Sequence, residues 1–166
     1  MIDAIRGTAL VAAALASGLQ AGVYYAFACS VVLGLNRGDP RVFVAAMQQV
    51  NVAIINPWFM LTFLGAPLVA ALAAVLGYGR PGFAWALAGF VLAAATFLIT
   101  IALNVPLNNA LDAAGDATTL ADPAAVVAAF EPGWSRWNTV RALTSTAALG
   151  CLSWALVVFG RASGAP

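Results

Sequence analysis

Long uncharged stretches alternate with short polar ones along this chain. Residues 7–36, 42–79, 81–111 and 142–160 carry no Asp, Glu, Lys or Arg. A membrane-spanning helix needs about 20 mostly apolar residues. The pattern therefore predicts four spans, at about 8–35, 58–77, 83–103 and 141–159. The alternating ten-residue segments of a β-barrel are not visible. Ala-Leu-Ala-Ser-Gly at 14–18 resembles a leader cleavage site, but the uncharged run continues to Leu35 and reads as a span.

Polar punctuation fills in the rest. Gly34–Pro40 is a turn, and Asp39-Pro40 signals a helix start. The following stretch, Arg41–Ile55, predicts a short helix, lying on the membrane surface or dipping over the mouth of the bundle. Asn56-Pro57 ends it. Pro67 predicts a kink in the second span. Gly77–Gly82 is a tight turn. Pro106 predicts a break of the third span at Val105. Asp112–Gly133 reads as a long polar connection, with Pro132-Gly133 as a helix stop. The expected architecture is all-α: a single-domain integral membrane four-helix bundle over 1–166. It has a short interfacial helix between spans 1 and 2 and a longer polar loop between spans 3 and 4.

Composition agrees. The 166 residues are 63% hydrophobic and 8% charged, where soluble proteins average about a quarter charged. A net charge of +1 gives no basic field for nucleic acid. The chain lacks His, the commonest metal ligand and general base. The carboxylates of the third connection follow no ligand pattern, so neither metal nor cofactor is expected. Cys29 and Cys151 read as small packing residues. Ala14, Gly18, Gly22 and Ala26 recur every four residues, a spacing that suits close helix packing or a homo-oligomer through Gly18 and Gly22. Both termini are expected on one side, leaning to the cytoplasmic one because Arg80 sits in a short loop.

The candidate chemistry gathers at one end. Four antiparallel spans bring Gln48, Asn51, Asn104, Asn108, Trp134, Trp137, Asn138 and Arg141 to the same mouth, with Gln20 and Tyr24 below. Trp134, Trp137, Asn138 and Arg141 fall at i, i+3, i+4 and i+7. Indoles supply flat walls. Amides and a guanidinium orient carbonyl or phenolate oxygens. The bland alternative is an amide network tying loops to helix ends.

At these residues the chain resembles a known family. Gly-Leu-Gln-Ala-Gly-Val-Tyr-Tyr-Ala-Phe at 18–27, Ala-Met-Gln-Gln-Val-Asn at 46–51, Asn-Pro-Trp-Phe at 56–59, Asn-Val-Pro-Leu-Asn-Asn at 104–109 and Trp-Ser-Arg-Trp-Asn-Thr-Val-Arg at 134–141 are similar to the anthrone oxygenase-like integral membrane family. The resemblance implies four spans and oxidation of an anthrone, or another flat aromatic or quinone-like molecule, without a cofactor. On that reading Arg141, Asn104, Asn108 and Asn138 are the catalytic candidates. Trp134, Trp137, Tyr24, Gln48 and Asn51 would bind the substrate. The competing expectations are a non-catalytic membrane protein that binds or passes a small hydrophobic ligand, and an assembly subunit.

Overall fold

A computed structural model describes residues 1–163. Within them the chain forms five helices: α1 (Ile2–Leu35), α2 (Pro40–Ala53), α3 (Pro57–Leu76), α4 (Phe83–Ala113) and α5 (Pro123–Ser163). All but α2 are long and apolar enough to cross a membrane. The protein is a multi-pass membrane helical bundle.

The helix starts follow from local chemistry. Asp39 accepts from Arg41 N at 2.8 Å, with Pro40 in the first position of α2. Asn56 accepts from the backbone of Trp58 and Phe59, and Pro57 opens α3. Asp122 caps α5 through Ala125 N at 3.0 Å. In each case a side-chain oxygen satisfies an orphan amide, and the proline has no amide to satisfy. The α3–α4 turn needs a left-handed backbone at Gly79 (φ +70°) and Gly82 (φ +88°).

Two expected helix ends are not ends. The third span continues through Pro106 to Ala113. One turn before the proline the helix widens into a π turn over Thr100–Asn104, and Val105 N–H reaches back five residues to the Thr100 carbonyl. The register shift accommodates the missing amide without a break. α5 likewise runs through Pro132 and Gly133. An internal proline costs about 3 kcal/mol, which tertiary packing can outweigh. Here Phe130 and Trp134, flanking Pro132, both bury in one apolar cluster, and a Cβ on Gly133 would lie 3.6 Å from Leu107. The expected long polar loop shrinks to residues 114–122.

The mid-bundle core is made of small residues. Ala9, Ala13, Ala70, Ala73, Ala86 and Leu152 bury together, while Leu15, Leu61, Leu68 and Val75 face outward. In lipid the outward leucines cost nothing, and close packing of small residues holds the helices together. A second cluster joins Phe43, Val44 and Met47 of α2 to Leu111, Phe130 and Trp134. Of the two placements expected for α2, the structure takes the one over the mouth. Arg6 stacks on Phe159 at 5.1 Å and donates to the Pro81 carbonyl, and Arg80 pairs with Asp3. The start of α1, the α3–α4 turn and the far end of α5 thus meet at the opposite end of the bundle.

Candidate functional site

Between α2, the outer ends of α3 and α4, and the middle of α5 lies a cavity of about 600 Å³. It is mostly apolar, and its polar lining is concentrated in a few side chains. Two of the helices around it carry π turns, at Phe27–Val31 in α1 and Thr100–Asn104 in α4. Such turns rotate the following residues out of α-helical register, which re-aims side chains.

Arg141 is the centre of the site. It is buried, 6% exposed, and its guanidinium lies 4.4 Å from the Tyr24 ring centroid and 5.5 Å from that of Trp134. Its Nη2 donates to Asn138 Oδ1 at 3.0 Å, while its Nε has no partner. No carboxylate pairs with it; among the described residues the one ion pair is Arg80–Asp3. Two cation–π contacts supply about 0.5–2 kcal/mol each. Burying an ion costs several kcal/mol. The rings therefore do not replace a counter-charge, and the cation faces a cavity.

Asn138 aims it. Its amide nitrogen donates to the Tyr24 carbonyl of α1 at 3.0 Å, which leaves the oxygen turned to Arg141. Asn108 is oriented by the same logic. Trp134 Nε1 donates to Asn108 Oδ1 at 2.8 Å. An indole can only donate, so the Asn108 NH2 is free to face the cavity. Asn51 also lines the cavity, but its amide nitrogen is buried away from it without a partner. Tyr24 is different: its hydroxyl proton is directed to Gln20 Oε1 at 2.6 Å, and Gln20 in turn donates to Thr62. The Arg141 guanidinium and the Asn108 NH2 are thus the donors offered to a ligand that brings oxygens.

The cavity gathers Tyr24, Gln48, Asn51, Asn108, Trp134, Asn138 and Arg141. Gln48 lines it while its amide nitrogen holds the carbonyls of Leu111 and Gly115 at the end of α4. Asn104 is fully buried beside the cavity and does not line it; its nitrogen donates to the Trp134 carbonyl at 3.3 Å, tying α4 to α5. Trp137 also lies outside the cavity, with Arg136 stacked on it at 5.2 Å. Of the oligomer candidates, Gly18 is turned toward the chain's own α5, where an added Cβ would lie 3.5 Å from Leu149, and an added Cβ on Gly22 would meet nothing within 4 Å. The expectations omitted Phe27, Phe59, Met60 and Phe63, which form apolar walls, and Asp112, the one carboxylate of the lining. Apolar residues in apolar spans carry no distinguishing signal. Asp112, four residues after Asn108 on a continuous helix, was hidden by the expected break at Pro106.

The fold and site together define a helical membrane protein with a polar-tipped apolar pocket. A family model described as anthrone oxygenase matches residues 55–151, and the chain belongs to that family. The match covers α3, α4 and the part of α5 that holds Trp134, Asn138 and Arg141. No curated protein and no solved structure matches the chain.

Proposed function

We propose that the protein is a membrane-embedded oxygenase of anthrone-like phenols that works without a metal or organic cofactor. The observation that carries this reading is the buried, carboxylate-free Arg141 facing an apolar cavity. A flat phenolic ketone fills such a space, and its carbonyl oxygen becomes an oxyanion when the opposite methylene loses a proton. The resulting electron-rich carbanion can react with dioxygen directly. One oxygen atom enters the ring as the new carbonyl, and the other leaves as water with the two methylene hydrogens.

In this scheme Arg141 stabilises the oxyanion, with the Asn108 amide on a neighbouring oxygen, and Asn51 lines the substrate space. Asn138 is a positioning residue that acts through Arg141, and Asn104 positions α4 on α5. Trp134 and Tyr24 form ring walls. Asp112 is our candidate to accept the methylene proton, because the Tyr24 hydroxyl is engaged with Gln20. We place the termini on the cytoplasmic side, since the short turn carrying Arg80 follows the positive-inside preference; impermeant thiol labelling in intact cells of Tyr78→Cys, in the same turn and with Cys29 and Cys151 replaced by Ala, tests this.

The direct test is oxygen uptake by purified protein given 1,8-dihydroxy-9-anthrone. Arg141→Met should lower the enzymatic rate by about 10²–10³-fold, the usual effect of removing one oxyanion donor. A variant that folds and turns over at the wild-type rate refutes the mechanism.

A further inference from the structure

We infer that the cavity loads sideways from the bilayer, through an opening between α3 and α4, and takes a phenol dissolved among the acyl chains. The inference rests on reading the cavity as a ligand site. It does not depend on turnover.

The two helices pack along Phe83–Ile99 of α4 and part beyond it. The Phe63 and Phe97 rings, 4.9 Å apart, close the floor of the gap. Above them the cavity lining and the outer surface are formed by the same residues. Ile55, Ile101 and Val105 line the cavity yet are 73%, 48% and 38% exposed. Met60 completes the rim from α3. All four are apolar, so this opening faces acyl chains without a polar group to desolvate. The other approach, beside Asn109 at the loop end, is polar.

A flat phenol favours the apolar route. Its ring area gains roughly 25 cal/mol per Å² by staying out of water. Entering edge-first past Ile101, it meets the donors of Arg141 and Asn108 only inside, where they replace its lost polar contacts. A lateral opening also explains why the unpaired cation lies deep rather than at the rim: a charge at the rim would face lipid.

The experiment uses full-length protein in phosphatidylcholine vesicles and 1,8-dihydroxyanthraquinone, which cannot turn over, as the probe. Quenching of tryptophan fluorescence reports loading. Ile101→Trp should slow loading and release together by about tenfold, with little change in the dissociation constant, because a gate alters rates and not end states. Val105→Trp is the second gate variant in case the first does not fold. Asn109→Trp, which narrows the loop end, should leave both rates near wild type. Slowing by Asn109→Trp alone, or by none of the three, overturns the lateral route. Arg141→Met separates the two readings. It should raise the dissociation constant while loading stays gated by Ile101. Gated loading with unchanged affinity in Arg141→Met would uphold the route and sink the proposed role of Arg141. No quenching of wild-type protein would remove both.

Discussion

Asn138 Oδ1 accepts from Arg141 Nη2 at 3.0 Å, three residues along the same helix, while the other half of the Asn138 amide is held by the Tyr24 carbonyl of α1. The guanidinium is therefore aimed by a neutral acceptor that leaves its charge uncompensated. Asn138→Asp should place a carboxylate there instead. The carboxylate gives the buried cation a partner but sets an oxygen against the Tyr24 carbonyl in place of a donor, so the variant is expected to fold and melt close to the wild-type temperature. Its affinity for 1,8-dihydroxyanthraquinone should fall by about tenfold or more, because the ligand oxygen then competes with a fixed anion. Tighter binding in Asn138→Asp would show that Arg141 does not serve an oxygen of the ligand.

Trp134 has two tasks that one substitution can part. Its ring faces the Arg141 guanidinium, and its Nε1 fixes the Asn108 amide at 2.8 Å. Trp134→Phe keeps an aromatic face and removes the donor. Asn108 Oδ1 then loses its partner, at a cost of about 1–3 kcal/mol, and the amide is free to flip. Affinity should drop less than in Arg141→Met, and Asn108→Leu in the Trp134→Phe background should add little. Independent, additive losses would mean that the two residues do not act as a pair.

The bundle was legible in the sequence because uncharged length is decisive in lipid. No soluble alternative hides 30 uncharged residues such as those of 7–36. The interruptions were less legible. Pro106 and Pro132-Gly133 read as ends because local rules treat proline as a stop, yet a π turn absorbs the first and a packed aromatic cluster outweighs the second. That difference reaches the site. Continuing α4 beyond Pro106 keeps Asn104, Asn108 and Asp112 at four-residue spacing, on one side of a single helix. Spacing along α5 placed Trp134, Asn138 and Arg141 together, and it placed Trp137 with them as well. Trp137 lies at the edge of that face, and only the packing of α5 against its neighbours shows it outside the cavity. The donors' free sides were beyond any pattern, since they follow from which partner each amide had already found.

Helix packing in the core depends on one absent methyl group. A Cβ on Gly89 would sit 2.6 Å from Leu152 Cγ, whereas a Cβ on Gly22 would meet nothing within 4 Å. Gly89→Ala must displace the fully buried Leu152 and should cost about 1–3 kcal/mol by overpacking. Gly22→Ala should be neutral or slightly stabilising, as Ala is the better helix former. Both are read from thermal melts in detergent. A large loss in Gly22→Ala would show that this open face meets another chain.

The loop before α5 is held down by α2. Arg41 donates to the carbonyls of Ala117 and Leu120 at 2.5 and 3.0 Å. Asp116 closes its own turn, accepting from the backbone and hydroxyl of Thr118 at 2.7 Å, and these bonds hold its carboxyl below the ordinary carboxylate value. A lowered folded value means that the contribution is complete at neutral pH and fades as pH falls through it. Arg41→Met should therefore speed amide exchange across 114–122 at neutral pH, with α1 and α3 unaffected. In wild-type protein, acidification below the ordinary carboxylate range should loosen the Asp116 turn first, after correction for intrinsic exchange rates. Thr118→Val should start from the looser state and lose most of that pH dependence. If exchange in the loop is insensitive to all three, the loop is held by the apolar contacts of Ala117 and Leu120 with the α2 cluster, and the polar ties add nothing measurable.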